Sequence, residues 1–171
     1  MFTGATAWRG TGLAIVRILF GFVFAIDAWF KWKPAFFNDF YDYVHGAMEG
    51  QPAFVKAWVH FWCFVVGINP HHIALVTAIV ETLVAVGLIL GVFSTLTDFA
   101  GAALTFGIWA VAEGFGGPYG PGSMHIGTAI IYVFVFAALW LAGSGLYVGL
   151  DRNLGPRLGR WSWLASGKAV S

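Results

Sequence analysis

Four long apolar stretches dominate this sequence, at residues 11–30, 71–93, 95–112 and 126–146. Each approaches or exceeds the roughly 20 mostly apolar residues that cross the hydrocarbon core of a bilayer. A segment inside hydrocarbon must satisfy its own backbone hydrogen bonds, so these stretches are predicted to be helices. The alternating pattern of membrane β-strands is not seen. The predicted fold class is therefore all-α, an integral membrane four-helix bundle forming a single domain over residues 1–171.

Composition supports a lipid-embedded chain and excludes several function classes. Hydrophobic residues make up 59% of the sequence and charged residues 10%, against about 45–50% and about 25% in soluble domains. The formal net charge of +1 provides no basic field for nucleic acid. An ordinary soluble enzyme, a disordered chain and a nucleic-acid binder are excluded. The lipid bilayer is the expected environment.

The connection between the first two stretches, residues 31–70, is too long for a simple loop. Aromatic and aliphatic residues recur at helical spacing over 35–48 and again over 53–66, with Gly50 and Pro52 between the two segments. We expect two amphipathic helices in the membrane interface, serving either as a structural aromatic belt or as a lid that docks partner subunits.

Basic residues near the span ends predict the orientation. Arg9 and Arg17 precede or enter the first span, and the tail at 151–171 carries Arg152, Arg157 and further basic residues. Because basic residues favour the cytoplasmic side and the number of spans is even, both termini are predicted to be cytoplasmic.

Ionisable residues at membrane depth are expensive and mark either function or pairing. Glu81 lies about ten residues into the second span, near the midplane at a rise of about 1.5 Å per residue. Arg17 and Asp98 lie nearer the cytoplasmic surface. One interpretation is a structural bridge from Arg17 to Glu81 or to Asp98. The other is a proton-carrying Glu81 beside a quinone or a small anion.

A second candidate group lies near the outer ends of the spans. Glu113 and His125, with Asp27, place carboxylates near an imidazole that can pass protons close to neutral pH. The glycine-rich loop at 113–122 contains Tyr119 and could face a ligand or form only a compact turn. Glu113 and His125 could equally be helix caps.

No metal or haem is predicted. Adjacent His71 and His72 would point about 100° apart on a helix, so both do not easily serve one ion. His60 and Cys63 lie one turn apart, which leaves copper or zinc as a weaker alternative. No histidine lies in the middle of a span, where haem would need an axial ligand.

Several motifs together resemble a known membrane family. These are the Val-Arg-Ile-Leu-Phe-Gly run at 16–21, the Glu81 segment ending at Gly91, Ala-Glu-Gly at 112–114, Gly-Pro-Tyr at 117–119, Pro-Gly at 121–122 and His-Ile at 125–126. The chain from about residue 13 to 151 resembles the DoxX-like family of small four-helix membrane proteins. It is more similar still to the DoxD branch, the large subunit of thiosulfate:quinone oxidoreductase.

The resemblance implies a prokaryotic cytoplasmic membrane protein, often with partner subunits, that oxidises thiosulfate to tetrathionate and passes electrons to quinone. The matching positions are Arg17, Glu81, Glu113 and His125. The long aromatic connection after the first span departs from the short one usual in the family.

Two functions follow as hypotheses. In the first, the chain is a quinone-linked oxidoreductase subunit acting on a small anion such as thiosulfate. Glu81, Glu113 and His125 are then the expected catalytic residues, and Arg17, Glu81 and Tyr119 the expected quinone-binding residues. In the second, the chain is a non-catalytic accessory or assembly subunit of a larger respiratory or other membrane oxidoreductase. A small-solute carrier fits less well because no inverted repeat is evident.

Overall fold

The computed structural model describes residues 4–119 and 126–166, and every regular element within these ranges is helical. The helices are α1 (Gly4–Lys31), α2 (Pro34–Gly46), α3 (Ala53–Ile68), α4 (Pro70–Leu90), α5 (Ser94–Gly107), α6 (Ala129–Leu141) and the short α7 (Asp151–Leu154). A π-helical turn (Ile108–Ala112) extends α5, and four short 3₁₀ turns complete the described chain.

Three helical segments are long and apolar enough to cross a membrane: Trp8–Lys31, Pro70–Leu90, and Ser94–Ala112, which combines α5 with the π-turn. The predicted all-helical membrane class is confirmed at this level. The structure begins the first helix before residue 11 and ends α4 at Leu90 rather than at residue 93.

The fourth predicted span, 126–146, was wrong in its extent. α6 has 13 residues, about 20 Å at 1.5 Å per residue, which is less than the roughly 30 Å of a hydrocarbon core. Gly143 adopts φ +60° directly after the cap of α6. This left-handed conformation stops the helix and turns the chain, although the sequence stays apolar beyond it.

The exterior of the spanning helices is apolar and the interior contains the polar groups. Large apolar side chains such as Leu19, Leu83 and Phe99 are exposed, while Arg17, Glu81 and Asp98 are buried. This inverted distribution suits lipid rather than water as the surrounding medium.

α1 and α4 run antiparallel, because the middle of α1 contacts the end of α4 while the end of α1 contacts the middle of α4. α5 packs on both α4 and α6. One core joins α1, α4 and α6 through Phe24, Val84, Ala85, Leu88, Phe136 and Leu139. Phe24 and Phe136 meet edge to face with ring centroids 5.3 Å apart.

α2 and α3 form a second layer over the first half of α4 and the end of α5. Their buried residues share one core with Ala74 of α4, and Val111 and Phe115 pack against it. α3 is apolar on its outer face as well, where Phe54, Phe64 and Ile68 are exposed. These two helices therefore close one side of the space between α1, α4 and α5.

The segment after α6 folds back onto the protein instead of forming a free tail. Asp151, Ala165 and Ser166 are buried, and the Thr95 hydroxyl donates a hydrogen bond to the Ala165 carbonyl over 2.9 Å. Trp161 and Trp163 remain exposed. Residues 151–166 thus cover the beginning of α5.

Candidate functional site: an apolar cavity beside an ion pair

Glu81 is paired with Lys31, not with Arg17. The Lys31 Nζ lies 3.6 Å from the Glu81 Oε2, and Glu81 is 3% exposed. Lys31 is the last residue of α1 and reaches back to the middle of α4. Beside it, the Trp32 indole N–H donates to the Thr82 hydroxyl over 3.0 Å. The predicted Arg17–Glu81 bridge was therefore wrong, since Lys31 supplies the cation.

Arg17 is a clamp between backbone segments. It is 1% exposed, and its guanidinium donates to the carbonyls of Leu88 at 2.9 Å, Ser144 at 2.6 Å and Val148 at 2.8 Å. A methyl group at Gly91 would lie within 2.6–2.7 Å of this guanidinium. The clamp ties α1 to the end of α4 and to the turn after α6. All of these contacts are with backbone carbonyls, so they do not support the predicted role of Arg17 in binding a quinone, which stays a prediction.

Asp151 is a buried structural acid that the sequence did not single out. Its carboxylate accepts hydrogen bonds from the backbone N–H groups of Phe93 at 2.7 Å, Ser94 at 2.8 Å and Ser166 at 3.0 Å. It thereby caps the start of α5 and fastens residue 166 there. The only signal was a single acid following the apolar, glycine-rich stretch at 143–150. Asp98, the second predicted partner of Arg17, is buried nearby and interacts with it electrostatically.

Glu113 caps α6. Its carboxylate accepts from the Thr128 hydroxyl at 2.9 Å and from the Ala129 backbone N–H at 3.3 Å. This is the capping alternative that the sequence left open. Its predicted partner His125 lies outside the described residues. Tyr119 is 65% exposed, and its hydroxyl donates to the Phe115 carbonyl, so its side chain lies on the surface and its role in quinone binding stays a prediction.

A cavity of about 530 Å³ lies between α1, α2, α3, α4, α5 and the π-turn. Its walls are mostly apolar, and the polar side chains among them are Lys31, Tyr43, Trp62 and Thr77. The lining residues are Phe30, Lys31, Phe36, Phe40, Tyr43, Val44, Trp62, Val66, Ile73, Thr77, Ala103, Leu104, Gly107, Ile108, Val111 and Ala112. The ion pair between the half-buried Lys31 and the buried Glu81 therefore borders the cavity through its lysine.

The π-turn shapes one wall of this cavity. The Glu113 N–H bonds the Ile108 carbonyl at 2.9 Å, five residues back. The Trp58 indole of α3 donates to the Ala110 carbonyl at 3.0 Å. Such turns occur preferentially at functional sites. The Ala110 carbonyl in this turn is a contact between α3 and the end of α5. Just before the turn, Gly107 has open space beside its backbone.

Tyr43 places a phenol at the cavity wall from α2. Burial, together with the negative charge of Glu113, raises the pKa of Tyr43 above its ordinary value. The hydroxyl therefore stays protonated at neutral pH and can donate a hydrogen bond.

His60 and Cys63 do not face a common metal site. Cys63 is buried within the α2–α3 core, whereas His60 is exposed on the outer face of α3.

Comparison with known proteins found no matching family model, no matching characterised protein and no matching solved structure. The resemblance to the DoxX-like family accordingly stays a prediction from the motifs.

Proposed function

We propose that this chain is an integral membrane subunit of a quinone-linked oxidoreductase, of the DoxX/DoxD-like type. In this proposal α1, α4, α5 and α6 form a four-helix bundle in a prokaryotic cytoplasmic membrane, with both termini on the cytoplasmic side. The observation that carries the proposal is the apolar cavity with the Lys31–Glu81 ion pair at its wall.

The cavity suits a quinone head in size and chemistry. Its volume of about 530 Å³ lies within the range of about 300–1,000 Å³ that small-molecule pockets occupy. A quinone is an apolar ring with two carbonyl oxygens, so it needs apolar walls and a few donors. Lys31, Tyr43 and Trp62 supply such donors.

Reduction of a quinone to a quinol takes two electrons and two protons. Two thiosulfate ions joining as tetrathionate release two electrons, which balances the reaction. We assign the oxidation of the anion to a partner subunit, because the cavity is apolar and its lysine is already neutralised by Glu81. Lys31 donates one proton to a quinone oxygen, and Glu81 holds the ammonium in position. Tyr43 donates the second proton to the other quinone oxygen.

The first test measures thiosulfate-dependent quinone reduction by the protein purified in mild detergent with its partners identified by mass spectrometry. Removing a positioned general acid reduces the rate by about 10²–10⁴-fold, and we expect a loss of this order in Lys31→Met. Lys56→Met is the matched control, because Lys56 is an exposed lysine of α3 that does not line the cavity. Full activity in a folded Lys31→Met variant would overturn the proposal.

The double variant Lys31→Met/Glu81→Gln separates chemistry from folding. Lys31→Met alone leaves the buried Glu81 carboxylate without its partner, which is destabilising, whereas the double change removes both charges. We expect the double variant to assemble like the wild type and to remain inactive.

An accessory, non-catalytic subunit is the second candidate. The observation that favours it is that three predicted or buried ionisable residues, Arg17, Glu113 and Asp151, all bond helix ends and turns. Copurification with a large cofactor-bearing complex, and no quinone binding by the separated chain, would establish this alternative.

A further inference from the structure

Trp62 differs from three other tryptophans of the described chain in the hydrogen bonding of its indole. The indole N–H groups of Trp32, Trp58 and Trp109 donate to Thr82, Ala110 and Ile126 at 3.0, 3.0 and 2.8 Å. The Trp62 Nε1, by contrast, is buried and has no hydrogen-bond partner within the described chain. An unpaired buried donor is costly, and buried indole N–H groups usually have partners.

We propose that the Trp62 indole N–H recognises a carbonyl oxygen of a lipid-soluble ligand, whose ring lies against the α5 wall at Gly107. This inference rests on the proposed function and goes beyond it by stating which donor binds the carbonyl oxygen and where the ring lies. Trp62 lines the cavity, so a bound carbonyl can satisfy the N–H that the protein leaves free.

The wall at Gly107 provides the space for a flat ring. Ala103, Gly107 and Ala112 are small lining residues of α5 and the π-turn, and a methyl group added at Gly107 would meet no atom within 4 Å. A planar ring can approach such a wall closely, whereas larger side chains at these positions would fill the cavity.

The charge balance favours a neutral ligand over a small anion. Lys31 is the one cation among the lining residues of the described chain, and Glu81 already compensates it. Moving a small dianion from water into such a site leaves its charge unpaired, at a high free-energy cost. A neutral carbonyl compound carries no such cost.

The position of the cavity favours entry from the bilayer. Phe30 and Ala103 line the cavity and are also exposed on the outside of the protein. Both belong to segments long and apolar enough to span a membrane. The cavity wall is therefore exposed at segments that would face the lipid, so we expect a lipid-dissolved ligand to enter from the bilayer.

The test is equilibrium binding of decylubiquinone to the purified full chain with its native partners, without turnover. Trp62→Phe keeps the aromatic ring and removes the N–H. Loss of one neutral hydrogen bond of about 1 kcal/mol corresponds to a roughly fivefold weaker Kd. Trp161→Phe, at an exposed position of the tail, is the control and should bind like the wild type.

Gly107→Leu fills the cavity and should weaken decylubiquinone binding by more than about tenfold, as loss of a well-formed apolar contact of a few kcal/mol implies. Gly12→Leu is its control, because Gly12 is also a helical glycine with no atom within 4 Å of an added methyl group, yet it does not line the cavity. Gly107→Ala provides a milder version if the leucine variant does not fold.

The outcomes separate this inference from the proposed function. Binding that is equally tight in the wild type and in Trp62→Phe overturns the inference while the quinone site stands. Absence of decylubiquinone binding to the wild-type protein overturns both. Tighter binding of palmitate than of decylubiquinone, lost in Lys31→Met and unchanged in Trp62→Phe, would overturn carbonyl recognition in favour of a carboxylate-headed lipid.

Discussion

Replacing Arg17 with methionine tests whether this buried guanidinium holds the helices together. Methionine keeps most of the side-chain length and removes the donors to Leu88, Ser144 and Val148. Each hydrogen bond to a charged group contributes about 1.5–3 kcal/mol, and removing one member of a buried charged set costs about 3–5 kcal/mol in total. Because Asp98 also loses the nearby cation, we expect the free energy of unfolding to fall by about 4 kcal/mol.

This loss is large against the ~5–15 kcal/mol that stabilises a typical folded domain. The assay is unfolding of the purified protein in mixed micelles with increasing sodium dodecyl sulfate, followed by circular dichroism. Arg17→Lys should lose about half as much, since one ammonium can serve some of the carbonyls but lacks the planar fork.

Arg9→Met is the matched control for this experiment. Arg9 is on the same helix but is exposed, and its guanidinium lies 5.9 Å from the centroid of the Trp8 ring. An exposed cation–π contact contributes about 0.5–1 kcal/mol. If Arg17→Met unfolds at the same detergent fraction as Arg9→Met, the clamp does not stabilise the fold and the reasoning from its hydrogen bonds fails.

Three further changes examine the other ionisable groups. Asp151→Ala removes the cap of α5, and we expect a loss of about 2 kcal/mol, the upper end for helix caps, in the same unfolding assay; a loss below that of Arg9→Met would contradict the capping role. Glu113→Gln keeps an oxygen that can accept from Thr128. We expect the variant to keep its rate of quinone reduction per folded molecule, with the folded fraction taken from the unfolding midpoint. Loss of quinone reduction at unchanged stability would instead make Glu113 a proton carrier. Glu113→Gln should also lower the pKa of Tyr43 toward its ordinary value, because one cause of its increase is removed. Ultraviolet titration with Tyr43→Phe as the reference checks this shift. Since folding raises this pKa, the stability contributed by Tyr43 is present below about pH 10 and is lost as the pH rises beyond it.

The sequence was sufficient for the membrane class and for the presence of helices in the first connection. The membrane class follows from the length of the apolar runs, and the helices follow from the helical spacing of apolar residues; both depend on local sequence alone. The end of α6 did not follow, because residues 126–146 are apolar throughout and the stop is a single backbone conformation at Gly143. A hydropathy pattern does not distinguish a glycine that continues a helix from one that ends it.

The partner of Glu81 could not be predicted from depth alone. Arg17 and Glu81 are within about one helical turn of each other in depth, so a bridge was reasonable. The structure instead gives Arg17 a set of carbonyls that α4 and the turn after α6 leave free at their ends. Lys31, the last residue of α1, reaches back toward the middle of α4, because its long side chain can bury its stem while its ammonium pairs with the carboxylate.

Arg17, Asp151, Glu113 and Lys31 therefore differ in the kind of partner they have. Arg17, Asp151 and Glu113 each bond backbone groups at helix ends, where such groups would otherwise be unsatisfied in a low-dielectric setting. These contacts are saturated by the fold and leave little capacity for a ligand. Lys31 is different, because it is paired with one side chain at 3.6 Å, beyond a normal hydrogen bond, and it borders an open cavity. A ligand oxygen can compete for its protons without unfolding any helix, so chemistry is more readily supported at Lys31 than at the residues whose charges hold the helix ends.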